Sequence, residues 1–226
     1  MCEGAREATR ASAEGRDQGG CVPQGTSRIG IVIAGGRGER LGMGVPKALV
    51  TVAGRTLLDR ACDLLRDCGV ERLRVGVPGT MALPVLAPDT VRVDDPPGDG
   101  RPLGGLVAAL GAEAFDEPGV VAVDQPLLRP ATMLALAAQR GNATAAVTAR
   151  DGRLQPLVGA YGPGAVAALR ASWDRGERAV YRAVRSAGAR VLEGDDAPGL
   201  PEEWTDLDTP ADLVEVERRL ARGACA

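Results

Sequence analysis

From Ile29 onward, short apolar runs rich in β-branched residues alternate with longer stretches that carry apolar residues at helical spacing. The predicted strands are residues 28–34, 72–77, 90–93, 119–123 and 143–149, and the predicted helices are residues 56–69, 104–115 and 130–141. Such alternation is typical of βαβ units on a parallel sheet. We therefore predict an α/β fold, a three-layer α/β/α sandwich with a mostly parallel, Rossmann-like sheet.

The first strand and the first helix have the clearest sequence signals. Residues 28–34 are almost continuously apolar, which indicates a strand that is buried on both faces. Residues 56–69 open with Thr56, carry Asp59 three positions later as in a capping box, and stop at Gly69. Three further segments continue the mixture of strand and helix: residues 154–161, 164–176 and 178–188.

Composition excludes several classes of function. The 226 residues are 45% apolar, which is enough to bury the core of one domain. The net charge of −3 gives no overall positive field for nucleic acid or an anionic membrane, and no apolar run approaches the ~20 residues of a membrane helix. The absence of histidine removes the commonest general base and any Ser/His/Asp triad. Any chemistry must therefore use carboxylates, lysine, arginine or a metal ion.

The chain is predicted to consist of one domain with a tail at each end. Residues 1–27 are rich in glycine, alanine, serine and charge, which indicates a disordered tail. Residues 28–222 show no internal repeat or linker and are predicted to form a single domain, followed by a short tail at 223–226. The five cysteines are scattered without a CxxC pair, and no apolar signal sequence is evident. We expect reduced thiols in a cytoplasmic protein that is a monomer or a weak homo-oligomer.

A glycine-rich loop, AGGRGERLGMGVPK, directly follows the first predicted strand. Glycine lets backbone N–H groups approach a phosphate closely, because it has no Cβ and accepts positive φ. The loop offers three such glycines and three cations to neutralise phosphate charge: Gly35, Gly36, Gly38, Arg37, Arg40 and Lys47. It is not a Walker A loop, because no GK[ST] follows, and Leu41 stands where a dinucleotide fingerprint needs glycine or alanine. The alternative to a phosphate site is a plain glycine-rich turn.

An acidic residue follows the predicted strand 119–123. In VVAVDQPLL, Asp124 comes directly after the apolar run, and a proline follows one residue later. This spacing places a carboxylate at the carboxyl end of a sheet strand, where open α/β sheets bind ligands. From these residues alone, Asp124 either faces a ligand or caps the helix that follows.

A second acidic segment, WTDLDTPADL, lies near the C-terminus. Asp206 and Asp208 are two residues apart in extended chain and so point to the same side, where one of them can complete an oxygen coordination shell. The segment is equally a good helix start, because the predicted closing helix 209–223 has Thr209 or Asp208 as its cap and Pro210 in its first turn. Both interpretations stay open on this evidence.

With Arg40 and Pro46-Lys47 included, the loop resembles the signature of the MobA-like nucleotidyltransferases, three-layer α/β enzymes in which it wraps the triphosphate of an incoming nucleotide. The resemblance implies a nucleotidyltransferase fold. It also implies Asp124 and Asp208 as ligands of the catalytic Mg²⁺, with Mn²⁺ as the alternative ion and Asp206 as a weaker ligand. The implied catalytic residues are Lys47, Arg40 and Asp124. The implied nucleotide site consists of Ile33, Ala34, Gly35, Gly36, Arg37, Gly38, Lys47, Asp95 and Gly104.

Within the superfamily, residues 29–220 are most similar to the molybdenum cofactor guanylyltransferases. Those enzymes have Leu-Ala-Gly-Gly at the loop, which Ile33 to Gly36 match, whereas cytidylyltransferase relatives favour Ala-Ala-Gly. They also have an acid ahead of Gly-Pro-Leu-Ala-Gly, and here Asp95 precedes Pro102-Leu103-Gly104-Gly105. The resemblance implies that Asp95 contacts the nucleotide, where a purine's exocyclic amine can donate to it; from the residues alone, a solvated acidic turn is the alternative. The resemblance implies transfer of GMP from GTP to the phosphate of molybdopterin, with release of pyrophosphate. Molybdoenzyme apoproteins or cofactor-insertion proteins are the implied protein partners.

The sequence departs from that family at three points. Pro46 is more typical of isoprenoid cytidylyltransferases and sugar-nucleotide pyrophosphorylases, Gly76 falls about where the family has an asparagine, and Arg101 replaces a glycine. Two alternatives therefore stay open. One is a cytidylyltransferase or other NTP transferase with a different phosphorylated acceptor: molybdopterin in cytidylyl transfer, methylerythritol phosphate or phospholactate. The other is a catalytically silent paralogue that binds nucleotide. Three arginines either face the phosphate of the acceptor or form a charged solvent face: Arg153, Arg178 and Arg182.

Overall fold

The computed structural model describes residues 28–97, 101–112 and 119–223, so the predicted disorder of residues 1–27 lies outside the described residues. The strands are β1 (Ile29–Ile33), β2 (Thr51–Val52), β3 (Arg55–Thr56), β4 (Arg72–Val77), β5 (Thr90–Asp94), β6 (Gly119–Ala122), β7 (Ala145–Arg150), β8 (Arg153–Tyr161) and β9 (Arg190–Leu192). The helices are α1 (Leu57–Asp67), α2 (Pro102–Gly111), α3 (Pro130–Arg140), α4 (Pro163–Asp174), α5 (Val180–Ser186) and α6 (Pro210–Gly223). No helix in this part of the chain is both long and apolar enough to cross a bilayer.

In the described part of the chain, seven strands form one sheet in the order β5-β4-β1-β6-β8-β7-β9. β1 pairs in parallel with β4 and β6, β4 pairs in parallel with β5, and β7 pairs in parallel with β9. Only β8 runs against its neighbours β6 and β7. Its reversal follows from the two-residue connection Asp151-Gly152, where both residues have positive φ (49° and 72°), as a tight hairpin requires. The prediction of a mostly parallel sheet is confirmed.

Hydrophobic cores lie on both faces of the sheet. Every residue of β1 is buried, and successive side chains of a strand point to opposite faces. Ile31 packs in a core with side chains of α2, α4 and α5. Val32, the next residue, packs in a second core with side chains of α1, α3 and α6. Helices therefore cover both faces of the sheet, and the predicted three-layer α/β/α sandwich is confirmed.

Both predicted helix starts have the expected capping bonds. The Asp59 N–H donates to Thr56 Oγ1 at 3.0 Å, immediately before α1. Thr209 holds the same position before α6, which ends at Gly223, one residue past the predicted domain limit. The short hairpin of β2 and β3 was not predicted, because its turn contains Ala53 at a φ of 47°, a conformation that alanine rarely adopts.

The two described cysteines, Cys62 and Cys68, are free thiols on or beside α1. Burial raises the pKa of each thiol to about 11. Because the thiolate is the reactive form, both side chains are unreactive near neutral pH.

Candidate active site

The glycine-rich loop leaves β1 and turns back so that Lys47 lies beside its first residues. The Lys47 N–H donates to the Gly36 carbonyl at 3.1 Å. Gly38 has a φ of 69°, and a Cβ at this residue would lie 3.1 Å from the Lys47 nitrogen. Both the positive φ and the close approach require glycine at this position. The loop therefore fixes the backbone of Lys47 close to the carboxyl end of β1.

Lys47 Nζ joins two carboxylates that are distant in the sequence. It donates to Asp124 Oδ2 at 3.0 Å and to Asp208 Oδ1 at 2.5 Å. Only 6% of Lys47 is exposed. Burial acts to lower the pKa of this lysine, but the charges and hydrogen bonds of the two aspartates outweigh it and the net effect raises the pKa. Lys47 is therefore protonated at neutral pH. The predicted catalytic lysine and both predicted metal ligands lie in contact with one another.

Neither aspartate is used as a helix cap. The residue at the N-cap position of α3 is Arg129, five residues after Asp124. At α6, Thr209 Oγ1 accepts from the Asp212 N–H at 3.3 Å, and Asp212 Oδ2 accepts from the Thr209 N–H at 2.7 Å. This reciprocal pair satisfies the first turn of α6 and leaves the Asp208 carboxylate to face Lys47. Both carboxylates therefore face Lys47, and their role as metal ligands stays a prediction.

A backbone hydrogen bond connects the segment that contains Asp208 to the end of β6. The Leu207 N–H donates to the Asp124 carbonyl at 2.9 Å, so the residue before Asp208 is held against the residue that follows β6. Leu207 itself is fully buried in the core. This contact explains how the two carboxylates meet, although more than eighty residues separate them.

Asp206, the weaker ligand candidate, is engaged by Gln125 instead of Lys47. Gln125 Nε2 donates to Asp206 Oδ1. Partial burial and the neighbouring carboxylates of Asp124 and Asp208 raise the pKa of Asp206 to about 6. Gln125 was not predicted as a site residue. Its only signal is its position between Asp124 and the proline that follows.

Asp95 lies half-buried at the end of β5, opposite the glycine-rich loop. Its N–H donates to the Val77 carbonyl at 2.8 Å, and a Cβ on Gly35 would lie 3.4 Å from its Oδ2. A Cβ on Gly105 would lie 2.5 Å from Asp95 Oδ1, whereas one on Gly104 would meet the ring of Trp173 at 2.8 Å. Burial, reinforced by the charge of Asp94, raises the pKa of Asp95. Gly105, not singled out from the sequence, is thus the glycine that makes room for this carboxylate.

The remaining loop residues lie at different distances from the site. Arg40 Nη1 lies 3.6 Å from Asp208 Oδ2 on a side chain that is 80% exposed. Arg37 is also exposed and pairs with Glu39 at 3.5 Å. The side chains of Ile33 and Ala34 are buried, so these two residues can offer a ligand only their backbone.

A cavity of about 420 Å³ lies next to the two carboxylates. Its polar lining comprises Asp124, Asp206, Asp208, Gln125, Gln155, Tyr181, Arg101 and Arg178. Arg178 is held in place by stacking over Trp173, with 4.0 Å from its guanidinium carbon to the ring centroid. Arg182 pairs with Glu177 at 2.7 Å and borders a different cavity, and neither Arg182 nor Arg153 lines this one.

A larger cavity, about 780 Å³, lies between α1 and α6. None of the residues predicted to act in catalysis or nucleotide binding lines it. The candidate site is therefore the smaller cavity together with the glycine-rich loop.

Residues 30–191 match the MobA-like NTP transferase domain. The chain belongs to this family. A probable molybdenum cofactor guanylyltransferase of Chloroflexus aggregans is 35% identical to it over 84% of this chain and 94% of the relative. A molybdenum cofactor guanylyltransferase of Cereibacter sphaeroides is 33% identical over 87% of this chain and 98% of the relative. The predicted family and enzyme class, a MobA-like nucleotidyltransferase, are confirmed.

The fold of this MobA-like nucleotidyltransferase is shared with an enzyme of different nucleotide choice. The crystal structure of 2-C-methyl-D-erythritol 4-phosphate cytidylyltransferase from Thermus thermophilus matches with a TM-score of 0.65 and 20% identity, over 86% of this chain and 99% of that chain. At this identity the likeness shows the fold alone. The nucleotidyltransferase fold is thus confirmed, and nucleotide choice has to be argued from side chains.

The donor set of this MobA-like enzyme fits a magnesium ion that is shared with its substrate. Asp124 and Asp208 present carboxylate oxygens to one common point, at Lys47 Nζ. Among the described residues, no group of three or more Asp, Glu or Cys side chains is placed to hold a metal ion. Mg²⁺ is commonly held by one or two carboxylates, with substrate phosphates and water in the other positions. Mn²⁺ accepts the same oxygen ligands.

Proposed function

We propose that this protein transfers GMP from GTP to the terminal phosphate of molybdopterin, with release of pyrophosphate. The observation that carries the proposal is the meeting of Lys47 with Asp124 and Asp208 beside the glycine-rich loop. The three side chains place one cation and two carboxylates at the carboxyl ends of the strands, where a nucleoside triphosphate and its metal ion would be held. The names of the two relatives above support the choice of GTP and molybdopterin.

In the proposed reaction, a phosphate oxygen of molybdopterin attacks the α-phosphorus of GTP in line. The new bond joins that oxygen to the α-phosphorus, the bond to the bridging oxygen of the β-phosphate breaks, and pyrophosphate leaves with the electron pair. A phosphate monoester is already ionised at pH 7, so no general base is required. A chain without histidine can therefore perform this reaction by positioning its substrates and stabilising charge.

Each predicted site residue then has a definite task. The backbone from Ala34 to Gly38 would cradle the phosphates, and Lys47 and Arg40 would neutralise charge that develops on the leaving pyrophosphate. Asp124 and Asp208 would hold Mg²⁺, which supplies charge stabilisation to the phosphate oxygens when bound. Ile33 contributes only its backbone, because its side chain is buried.

Asp95 is the residue proposed to select guanine. It is half-buried between Gly35 and Gly105, and guanine offers two N–H donors on one edge that a carboxylate can accept. Cytosine has no equivalent pair of adjacent donors. Gly104 has a supporting role for a different reason. The absence of a side chain there lets Trp173 pack on the first turn of α2.

The acceptor would occupy the 420 Å³ cavity, whose arginines Arg101 and Arg178 suit an anionic pterin phosphate. Arg153 and Arg182 do not line that cavity and are not included in the proposal. Molybdoenzyme apoproteins and cofactor-insertion proteins stay predicted partners.

Binding of GTP, CTP, ATP and UTP with Mg²⁺ would test the proposal, by calorimetry on the wild type, on Asp124→Ala and on Asp89→Ala as a control outside the site. We expect a preference for GTP that disappears without Mg²⁺ or in Asp124→Ala and persists in Asp89→Ala. A preference for CTP would replace the proposal with cytidylyl transfer. No metal-dependent binding of any nucleotide would instead indicate a silent paralogue.

A further inference from the structure

The ammonium of Lys47 lies where the proposed metal ion would bind. Its two hydrogen-bond acceptors, Asp124 Oδ2 and Asp208 Oδ1, are oxygens of the two proposed metal ligands. We infer that Lys47 acts as a stand-in cation which Mg²⁺ displaces when the triphosphate of a nucleotide draws the lysine towards the glycine-rich loop. Lys47 then has two roles: it keeps the two carboxylates in position before the metal binds, and it contacts phosphate afterwards. This inference rests on the proposed metal-assisted nucleotidyl transfer.

The two cations compete for the same oxygens and repel each other. Mg²⁺ binds oxygen at about 2.0–2.1 Å, so an ion shared by these carboxylates would lie within contact distance of the ammonium. Lys47 is also 6% exposed, and a buried ammonium that loses its partners without gaining others is costly. Metal binding between these oxygens therefore favours movement of Lys47 to another anion.

The glycine-rich loop is where such an anion would be. The Lys47 N–H is bonded to the Gly36 carbonyl, and a Cβ on Gly36 would lie 3.2 Å from Lys47 Cδ. The stem of the lysine thus runs along the loop that is proposed to cradle the triphosphate. Its four-carbon stem is flexible, so the ammonium can turn from the carboxylates to a phosphate while the backbone stays fixed.

The choice of lysine at this position is distinctive in this chain. Lys47 is the only lysine in the sequence, and all the other basic residues among the 27 are arginines. An arginine presents a planar fork that prefers to bind one carboxylate with two parallel bonds. A lysine is a compact point charge, which can occupy the place of a metal ion between two carboxylates and leave it again.

A direct consequence is that the metal should bind more tightly once Lys47 is removed. In Lys47→Met, Asp124 and Asp208 face one another without the ammonium, and a divalent cation relieves their repulsion without first breaking two ion pairs. We expect the affinity for Mn²⁺ alone to rise about fivefold or more, the lower range of typical coupling between linked sites. The affinity for GTP should fall, because the phosphate contact is lost.

Calorimetry with Mn²⁺ alone decides the inference, on the wild type, Lys47→Met and Arg170→Met. Arg170→Met is the matched control, because it also removes one positive charge from a pair with an aspartate, on the exposed surface of α4. Tighter Mn²⁺ binding in Lys47→Met and unchanged binding in Arg170→Met would support the exchange. Equal or weaker binding in Lys47→Met would overturn it.

A second measurement uses the wild-type protein and does not depend on the folding of a variant. Because Lys47 is the only lysine, labelling with ¹⁵N-lysine gives one side-chain ammonium resonance. We expect this resonance to shift when GTP and Mg²⁺ are added together, since the ammonium changes its partners from carboxylates to phosphate. A resonance that stays unchanged while Mg²⁺-GTP binds would overturn the inference and leave the proposed function standing. Failure of the wild type to bind Mg²⁺-GTP at all would contradict the proposed function, and the Mn²⁺ titration would still decide the exchange.

Discussion

Two clusters of ion pairs in this enzyme use similar charges for opposite purposes. In the first, Lys47 is a single point charge shared by Asp124 and Asp208. In the second, the planar fork of Arg66 binds Asp89 with two bonds of 2.8 Å each, joining α1 to the start of β5. The Arg66 pair satisfies its own charges and holds two elements together. The Lys47 cluster keeps two repelling carboxylates close to each other, which suits the proposed role of both as metal ligands.

The two clusters also differ in what they do to the carboxylates. The hydrogen bonds from Arg66, and then from Thr90, lower the pKa of Asp89 to about 2. Beside the Lys47 cluster, the pKa of Asp206 is raised to about 6. A stabilised carboxylate indicates a structural pair, whereas a destabilised one among like charges is more common at functional sites. Point variants test this contrast.

The largest difference is expected in catalysis. Asp124→Asn removes the charge of a proposed metal ligand and should lower the rate of pyrophosphate release by about 10²-fold or more. Asp89→Asn removes the same charge from the structural pair and should leave the rate unchanged. Initial rates with GTP, Mg²⁺ and acceptor would compare the two. Asp124→Asn with more than a tenth of the wild-type rate would contradict the assigned role of Asp124.

A smaller effect is expected from a methyl group in α2. In Gly105→Ala the new Cβ would lie 2.5 Å from Asp95 Oδ1, so the carboxylate has to move from its proposed contact with guanine. We expect GTP to bind about tenfold more weakly, equivalent to ~1.4 kcal/mol, with Mn²⁺ binding unchanged. Calorimetry would measure both affinities.

Gly111→Ala is the matched control for Gly105→Ala, because it adds the same methyl group to the same helix with no atom within 4 Å. It should leave GTP affinity unchanged. If both variants bind GTP equally well, Asp95 does not contact the base.

The structural pair should affect stability and not function. Asp89→Asn should lower the free energy of unfolding at pH 7 by about 0.2–1 kcal/mol, the range for exposed ion pairs. Because the pKa of Asp89 falls from 3.8 to about 2 in the folded protein, its contribution is present above pH ~4 and is lost as the pH falls through about 2. Urea unfolding at pH 7, 4 and 2 would show the difference from wild type shrinking. A constant difference across this range would exclude the ion pair as its cause.

The smallest effect should have the opposite pH dependence. The pKa of Asp206 is raised from 3.8 to about 6, so its ionisation destabilises the folded protein, and the stability falls as the pH rises from about 4 to 6. Asp206→Asn should therefore melt at a slightly higher temperature than wild type at pH 7.5. The difference should disappear below pH 4, and thermal unfolding at pH 7.5 and 3.5 would measure it. An equal difference at both pH values would argue against charge repulsion.

The sequence alone predicts most of the elements, because their signals are local. Apolar periodicity together with the capping-box pattern of Thr56 and Asp59 predicted the bounds of α1 to within a few residues. The reversal of β8 is encoded by Asp151-Gly152, a strong hairpin signal that the strand assignment did not use. The turn Ala53-Gly54 has a weaker signal, because alanine adopts positive φ less readily than aspartate.

The site was predictable in its charged residues and not in their contacts. Helix caps and metal ligands use the same residue types, so Asp208 and Thr209 could not be distinguished until the Asp212 bond assigned the cap to Thr209. Likewise, the rotation of α2 decides that Gly105 and not Gly104 faces Asp95. Such facts depend on tertiary packing, which no short sequence pattern contains.

The bond from the Leu207 N–H to the Asp124 carbonyl joins the two ends of the candidate site late in the chain. Lys47 and Asp124 leave the ribosome long before Asp208, which follows Lys47 by 161 residues. A domain generally folds as a unit. A nascent chain that ends before Asp208 lacks one of the two proposed metal ligands. We therefore expect catalysis to start only when nearly the whole domain has been translated.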